Sequence, residues 1–183
     1  MTLKPAVFLD RDGVINQDSP DFIKTTDELS IFDYAPAAGA RLYSAGFLIV
    51  IITNQSGIGR GLITLENLQR MNEKVEEAFE DAGARVEAIY HCPHLPEDGC
   101  ACRKPSPVMV LTAAREHNID LTASYFVGDK PADIICGAAA GCKTILTLSG
   151  KSTGYRPDCF PEQPDYIARD LDAAVGWILE SCP

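Results

Sequence analysis

Two carboxylates separated by one residue, Asp10 and Asp12, are the first pair in this chain whose types and spacing could do chemistry. One carboxylate of such a pair can attack an electrophilic atom while the other donates or accepts a proton. Gly13 follows directly and eases a turn. Because Asp-Gly is also common in ordinary turns, this spacing alone does not establish a catalytic site.

Three further segments carry polar side chains that would complement these carboxylates. Hydroxyl, amide and cationic groups bind phosphate oxygens, and carboxylates are preferred ligands of Mg²⁺, a hard cation. The residues are Thr53, Asn54, Gln55, Ser56 and Arg60; Arg103 and Lys104; and Asp129, Lys130 and Asp133. A plain polar loop remains an alternative for the first segment. Asp133, taken alone, is typical of an acidic residue in the first turn of a helix.

The elements that must position these groups alternate along the chain. Short, wholly apolar runs predict strands buried on both faces of a parallel sheet, over residues 6–9, 47–52, 85–90, 124–127 and 144–148. Helical periodicity and capping residues predict helices over 36–45, 65–82, 107–117, 133–140 and 170–179. This alternation predicts a Rossmann-like three-layer α/β/α sandwich around a parallel central sheet. Because the carboxyl ends of parallel strands share one edge, the polar segments are expected to meet there.

Length and charge restrict the function further. The 183 residues, 46% of them hydrophobic and 23% charged, predict a single domain over residues 1–183. Lys and Arg total 16 and Asp and Glu total 26, so the formal net charge of −10 repels polyanions. We therefore expect no nucleic-acid or membrane partner, and an anionic small-molecule substrate, such as a phosphorylated one, would need a local cluster of cations. With no apolar run of spanning length and no signal peptide, a cytoplasmic protein is expected, and we predict a monomer.

The polar segments together resemble the four ordered motifs of the haloacid dehalogenase superfamily of phosphatases. The sequence FLDRDGV over residues 8–14, the pair Thr53-Asn54, Lys104, and Gly128-Asp129 with Asp133 stand in the expected order. The resemblance covers about two thirds of the chain. The gap between Asp10 and Thr53 holds too little chain for the cap domain of many relatives, so no cap domain is expected.

This resemblance implies a mechanism. Asp10 would attack phosphorus and form an aspartyl-phosphate, and Asp12 would protonate the leaving group and then activate water. Mg²⁺ would be held by the Asp10 carboxylate, the Asp12 backbone carbonyl and Asp129. The phosphoryl oxygens would be bound by Thr53, Asn54 and Lys104, with Arg11, Arg60, Arg103 and Lys130 as further cations. Such a site suits phosphoryl transfer, which depends mainly on positioning and electrostatic stabilisation.

A second group of residues could hold a metal of another kind. Cys92, His94, Cys100 and Cys102 offer three thiolates and one imidazole within eleven residues. Zn²⁺ takes such ligand sets with tetrahedral geometry, and four protein ligands leave no position for water. We therefore predict a structural zinc in a loop over about residues 91–104, which would also position Arg103 and Lys104. The alternative is a reduced loop with incidental cysteines; Cys136, Cys142 and Cys159 are expected to be core or incidental thiols.

The cysteine loop narrows the resemblance to the D-glycero-D-manno-heptose-1,7-bisphosphate phosphatases and the related histidinol-phosphate phosphatases. The sequence TNQSGIGRG over residues 53–61 is similar to the heptose enzymes, whereas the histidinol-phosphate enzymes tend to have an acidic residue where Ser56 stands. A second phosphate would also suit Arg60 and Lys130. The resemblance therefore implies release of the C7 phosphate, giving heptose 1-phosphate for nucleotide-activated heptose and surface glycans such as lipopolysaccharide.

Three alternatives remain at this stage: a histidinol-phosphate phosphatase, a polynucleotide 3′-phosphatase and a non-catalytic zinc-loop module. The negative charge disfavours the second, and the intact carboxylate pair disfavours the third. Specificity is expected to come from loops, including residues 16–25, the zinc loop and the irregular segment 150–164, which is rich in Gly and Pro.

Overall fold

The computed structural model describes residues 2–151 and 160–181, which contain one six-stranded parallel sheet. Its strands are β1 (Ala6–Leu9), β2 (Leu48–Asn54), β3 (Val86–Cys92), β4 (Tyr125–Gly128), β5 (Lys143–Thr147) and β6 (Tyr166–Ala168). They lie in the order β3-β2-β1-β4-β5-β6, and all neighbours are parallel. The winding direction therefore reverses between β1 and β4, where open α/β sheets bind their ligands.

Helices lie on both faces of this sheet, which confirms the predicted three-layer sandwich. They are α1 (Ala35–Ser44), α2 (Ser56–Gly59), α3 (Leu65–Asp81), α4 (Val108–His117), α5 (Pro131–Ala140) and α6 (Leu171–Glu180). Val7 and Leu9 of β1 belong to the core formed with α1, α3 and α6. Ala6 and Phe8 belong to the core formed with α4 and α5. Both faces of β1 are thus buried, which is why its sequence is apolar without alternation.

Capping residues act at several helix ends. The Thr64 hydroxyl accepts the Asn67 N–H at 3.1 Å before α3, and Asp170 accepts the Ala173 N–H at 2.9 Å before α6. Gly141 ends α5 with φ of 88°, a conformation that glycine adopts without strain. Helix α4 was predicted to begin at Pro107, but Pro107 occupies the N-cap position and the helix begins one residue later, at Val108.

Several boundaries differ from the sequence prediction. Strands β2 and β3 each extend two residues further, because Thr53 and Asn54 still pair with His91 and Cys92 in the ladder. Helix α5 begins at Pro131 rather than Asp133, since proline suits the first helical turn. The short elements β6 and α2 were not predicted, because three or four residues carry no readable periodicity.

The segment between β1 and β2, residues 10–47, contains loops and α1 but no cap domain. Most of the irregular segment predicted over 150–164, and Cys159 within it, lies outside the described residues, whereas Cys136 and Cys142 are buried as expected. Over the part of the chain that the structure describes, no helix has both the length and the apolar character needed to cross a bilayer.

Candidate active site and metal centre

Asp10 follows β1 directly, is 4% exposed, and contacts the ammonium group of Lys104. Lys104 Nζ lies 2.9 Å from Asp10 Oδ1 and 2.6 Å from Asp133 Oδ1, and it donates to the Ile52 carbonyl at 2.8 Å. Burial disfavours the charged ammonium, but the two carboxylates outweigh burial and raise the pKa of Lys104. Lys104 is therefore a fixed cation beside Asp10.

Asp133 connects this cation to the start of α5. Its second oxygen, Oδ2, accepts the N–H groups of Asp129 at 3.2 Å and of Lys130 at 3.1 Å. Burial raises the pKa of Asp133, and the neighbouring Lys104 works in the opposite direction. The sequence analysis expected a supporting acid in a first helical turn. The structure adds the direct ion pair with Lys104.

The Asp12 carboxylate accepts hydrogen bonds from three side chains. Arg11 donates from Nε at 2.9 Å and Nη2 at 3.2 Å, Asn16 donates at 3.0 Å, and Gln55 donates at 2.9 Å. Burial by itself would raise the pKa of Asp12, but Arg11 and these hydrogen bonds lower it below its ordinary value. In this arrangement Asp12 is ionised and suited to accept a proton.

Three carboxylates converge below the cavity described next, and they could hold a cation. Asp10, Asp129 and Asp133 each present an oxygen, and these oxygens lie within 4.8 Å of one another. Burial raises the pKa of Asp129 to about 7; Lys130 opposes this shift, and Asp10 and Asp133 add to it. Oxygen donors that repel one another in a buried position are what Mg²⁺ binds well, so these residues fit the predicted magnesium.

Two glycines make room for the Asp129 carboxylate. Gly13 has φ of 96°, and a Cβ atom there would lie 2.5 Å from Asp129 Oδ2. A Cβ atom at Gly150 would clash with the same carboxylate. The backbone N–H of Lys151 donates to Asp129 Oδ2 at 2.8 Å. The position of this carboxylate therefore depends on the absence of side chains at 13 and 150.

Lys130 lies over the carboxylates rather than pointing away from them. Its Nζ is 3.2 Å from Asp129 Oδ1, 3.7 Å from Asp10 Oδ2 and 3.4 Å from the Asp12 carbonyl oxygen. It is also 3.4 Å from Asp18 Oδ2 at the cavity rim, where Lys151 pairs with the same oxygen at 3.1 Å. Lys130 therefore contacts each of the three groups that the sequence resemblance assigned to magnesium.

A cavity of about 330 Å³ lies above these groups. Its polar lining includes most of the predicted substrate-facing residues, namely Thr53, Asn54, Gln55, Ser56, Arg103, Lys104 and Lys130. Phe22, Ile23 and Ile63 form an apolar part of the wall. Anionic groups of a small ligand can thus meet cations and amides on one side while its carbon atoms meet apolar side chains on the other.

Two of the predicted cations, Arg60 and Arg11, do not line the cavity. Arg60 is exposed, is not part of the cavity lining, and stacks over the ring of Phe22 with 5.9 Å to its centroid. Arg11 is buried, and its guanidinium binds the Asp12 carboxylate and donates to the side-chain amide oxygen of Asn72, Oδ1, instead of facing the cavity. Arg60 therefore reaches the cavity wall through Phe22, and Arg11 acts on Asp12.

The four predicted zinc ligands come together in one cluster. Cys102 Sγ lies 3.2 Å from Cys92 Sγ, 3.7 Å from Cys100 Sγ and 3.3 Å from His94 Nδ1, and Cys92 Sγ lies 3.5 Å from Cys100 Sγ and 3.6 Å from His94 Nδ1. The edge of a tetrahedron around zinc with bonds of about 2.3 Å is about 3.8 Å, so the ligand set fits. Burial raises the pKa of the Cys92 thiol to about 12. A bound cation would therefore have to replace that proton.

The zinc cluster is joined to the cavity through backbone contacts. Asn54 Nδ2 donates to the Lys104 carbonyl and the Lys104 N–H donates to Asn54 Oδ1, both at 3.1 Å. The Gln55 N–H donates to the Cys92 carbonyl at 2.7 Å, and Arg103 Nη1 donates to the His94 carbonyl at 3.3 Å. Displacing the cysteine loop would therefore move Lys104 and the loop after β2.

Sequence reasoning missed several residues of this site. Asn16 and Asn72 act through Asp12 and Arg11, and only the fold brings α3 to Arg11. Asp18 lies in the predicted specificity loop over 16–25 but was not singled out, and neither was Lys151. A possible signal for Asn16 was its place four residues after Asp12, but the sequence offers none for Asn72.

Comparison with known proteins gives consistent matches. Residues 101–174 match a family described as HAD-hydrolase-like. The chain is 40% identical to a D-glycero-beta-D-manno-heptose-1,7-bisphosphate 7-phosphatase of Pseudomonas aeruginosa, covering 95% of this chain and 97% of that protein. It is 44% identical to the protein of the same name from Bordetella bronchiseptica, with the same coverage.

Solved structures agree in fold and sequence. A D,D-heptose 1,7-bisphosphate phosphatase from B. bronchiseptica, complexed with magnesium and phosphate, gives a TM-score of 0.87 at 38% identity. The match covers 97% of this chain and 99% of that one. The corresponding protein from Burkholderia thailandensis gives a TM-score of 0.74 at 33% identity, covering 97% of this chain and all of that one.

Proposed function

The chain belongs to the D-glycero-D-manno-heptose-1,7-bisphosphate 7-phosphatase family of HAD-like hydrolases, and we propose that it removes the C7 phosphate of a heptose 1,7-bisphosphate. The product is heptose 1-phosphate, a precursor of nucleotide-activated heptose for surface glycans such as lipopolysaccharide. The observation that carries this proposal is the convergence of Asp10, Lys104 and the Asp129 carboxylate below one polar cavity, in a chain similar to these phosphatases over 95% of its length.

In the first step the Asp10 carboxylate attacks the C7 phosphorus, and the bond from phosphorus to the C7 oxygen breaks. Lys104, 2.9 Å from Asp10 Oδ1, holds the nucleophile in one orientation and offsets the charge that accumulates on the phosphoryl oxygens. Thr53 and Asn54 line the cavity where those oxygens would lie. Magnesium, when bound at Asp10, Asp129 and the Asp12 carbonyl, supplies a further positive charge for the phosphoryl group.

Asp12 is the proton donor in the first step and the proton acceptor in the second. It protonates the departing C7 oxygen, and it then takes a proton from the water that hydrolyses the aspartyl-phosphate on Asp10. Its hydrogen bonds to Arg11, Asn16 and Gln55 lower its pKa, which suits the second step. The first step needs Asp12 to bind a proton, and the negative charge of an approaching phosphate favours that protonation.

The second phosphate of the substrate meets the cations at the cavity rim. Arg103, Lys130 and Lys151 line this region, and Asp18 pairs with both lysines. Cys92, His94, Cys100 and Cys102 would hold a structural zinc, which would stabilise the loop that carries Arg103. Ser56 lies in the lining without a negative charge, which favours a sugar phosphate over an amine such as histidinol phosphate.

We further propose that the enzyme works as a single-domain monomer in the cytoplasm, without nucleic-acid or membrane partners. One continuous sheet joins β1 to β6, and α1 and α6 are linked by the ion pair of Arg41 and Asp172 at 2.7 Å. Free thiols in the metal cluster favour a reducing compartment. The net charge of −10 supports the absence of polyanionic partners.

The test is a phosphate-release assay with magnesium over heptose 1,7-bisphosphate, heptose 1-phosphate and histidinol phosphate. We expect rapid release of one phosphate from the bisphosphate only, with the remaining phosphate on C1 by phosphorus NMR. The variant Asp10→Asn is the control and should bind substrate without turnover. A preference of about tenfold or more for histidinol phosphate would overturn the substrate assignment, and turnover by Asp10→Asn would overturn the nucleophile.

A further inference from the structure

Lys130 and the predicted magnesium have the same three partners. The Lys130 ammonium contacts Asp129 Oδ1, Asp10 Oδ2 and the Asp12 carbonyl oxygen at 3.2–3.7 Å. An ammonium group and a divalent ion cannot both lie among the same oxygens, because they would overlap and repel each other. One cation must leave when the other arrives.

The charge balance around these oxygens favours an exchange. Asp10, Asp129 and Asp133 are three converging carboxylates, and Lys104 and Lys130 are the two ammonium groups that pair with them. When all three carboxylates are ionised and both lysines are in place, the group carries one net negative charge. Replacing Lys130 by a divalent ion brings it to neutrality, whereas keeping both would make it positive. Buried charge clusters are most stable when they are compensated.

Lys130 also has a place to go. About a third of its side chain is exposed, whereas Lys104 is 2% exposed and cannot leave. Asp18 Oδ2 lies 3.4 Å from Lys130 Nζ at the cavity rim. A rotation of the flexible lysine side chain that keeps this contact with Asp18 would move the ammonium away from the other carboxylates and into the cavity that Lys130 already lines.

We propose that Lys130 is an internal competitor of magnesium: its ammonium occupies the carboxylate site until Mg²⁺ displaces it, and the displaced ammonium then binds a substrate phosphate. The inference rests on the magnesium site of the proposed function. It makes magnesium and substrate binding mutually favourable, because each draws Lys130 towards the position that the other needs.

The experiment measures magnesium binding directly, by isothermal titration of Mg²⁺ into the zinc-loaded protein without substrate. Lys130→Met is expected to bind Mg²⁺ about tenfold more tightly than the unaltered chain, as follows if the lysine occupies the site about 90% of the time. Lys151→Met is the matched control. It removes the same charge and the other ion pair with Asp18, while Lys130 keeps its contacts with the three oxygens. Its affinity should change by less than about threefold.

Thermal unfolding gives the second readout. In magnesium-free buffer Lys130→Met should have a lower Tm than the unaltered chain, because three carboxylates then share one ammonium. Added Mg²⁺ should raise the Tm of Lys130→Met by more than it raises that of the unaltered chain. If Lys130→Met does not fold, Lys130→Gln, which keeps a polar end group and loses the charge, is measured instead.

The results distinguish a failure of the competition from a failure of the metal site itself. Equal or weaker Mg²⁺ binding by the variants at 130, with clear binding by the unaltered chain, overturns the competition and leaves the phosphatase proposal intact. An equal gain in Lys151→Met overturns it as well, because the effect would then be general electrostatics. No Mg²⁺ binding by any of the proteins overturns the metal site and, with it, this inference.

Discussion

Replacing Lys104 by methionine should destabilise the protein strongly, because Lys104 is the buried cation between two carboxylates. Its Nζ lies 2.9 Å from Asp10 and 2.6 Å from Asp133, and the side chain is 2% exposed. Removing one partner from such a buried group leaves uncompensated charge and costs about 3–5 kcal/mol of unfolding free energy. Methionine fills a similar volume, so a cavity contributes little to the loss.

A second substitution separates the charge effect from packing. Asp133→Asn keeps an oxygen that can accept the N–H groups of Asp129 and Lys130, but it removes one of the two charges that Lys104 compensates. In the presence of Lys104→Met, this change should therefore restore about 1–2 kcal/mol, although alone it destabilises the protein by about 1–3 kcal/mol. The two changes are thus expected to be strongly non-additive.

The assay is urea unfolding of the four proteins at pH 7.5 with zinc bound and magnesium absent. The matched control is the cycle of Arg41→Met and Asp172→Asn, an exposed ion pair at 2.7 Å whose coupling should not exceed about 1 kcal/mol. Coupling between Lys104 and Asp133 no larger than in this control would refute the reasoning. So would a double variant less stable than Lys104→Met.

Three further predictions concern the zinc cluster, the magnesium site and the residues around Asp12. Cys102→Ser should bind less than one zinc per chain by elemental analysis and raise the KM for the bisphosphate, because Arg103 follows the lost ligand; full zinc with normal kinetics would contradict this. Asp129→Asn should abolish Mg²⁺ binding yet raise the Tm in magnesium-free buffer at pH 8. Burial raises the pKa of Asp129 to about 7, so its ionisation costs stability as pH rises from about 4 to 7, and differential scanning fluorimetry should show the gain fading towards pH 5. Gln55→Leu, which removes the donor shared by Asp12 and Thr53, should lower kcat about tenfold with little change in KM; a change in KM alone would assign Gln55 to substrate binding instead.

Much of the fold could be predicted because its central strands, such as β1 and β4, are buried on both faces. The run at Ala6–Leu9 has no polar alternation, and a strand of this kind belongs in the middle of a parallel sheet. Strand β6 could not be found in this way, since three residues at a sheet edge, with Ile167 exposed, leave no pattern. The ends of β2 and β3 were misplaced because polar residues such as Thr53 serve both ladder and site.

The site could be predicted where a residue type is tied to a strand end, and less well where a side chain acts through another. Asp10 and Asp129 follow β1 and β4 and lie together as expected. Arg11 was grouped with the cations and Gln55 with the substrate contacts; both donate to Asp12, and Gln55 also lines the cavity. The direction in which a loop side chain points is set by tertiary packing, which cannot be read from the linear sequence.

The two glycines that make room for the Asp129 carboxylate give a practical criterion for choosing homologues in genome surveys. A homologue that retains Gly13, Gly150 and this carboxylate has room for a functional catalyst and should be tested first. A homologue with a branched residue at either glycine position would need to place the carboxylate elsewhere. We expect such homologues to have a different activity or to have lost activity.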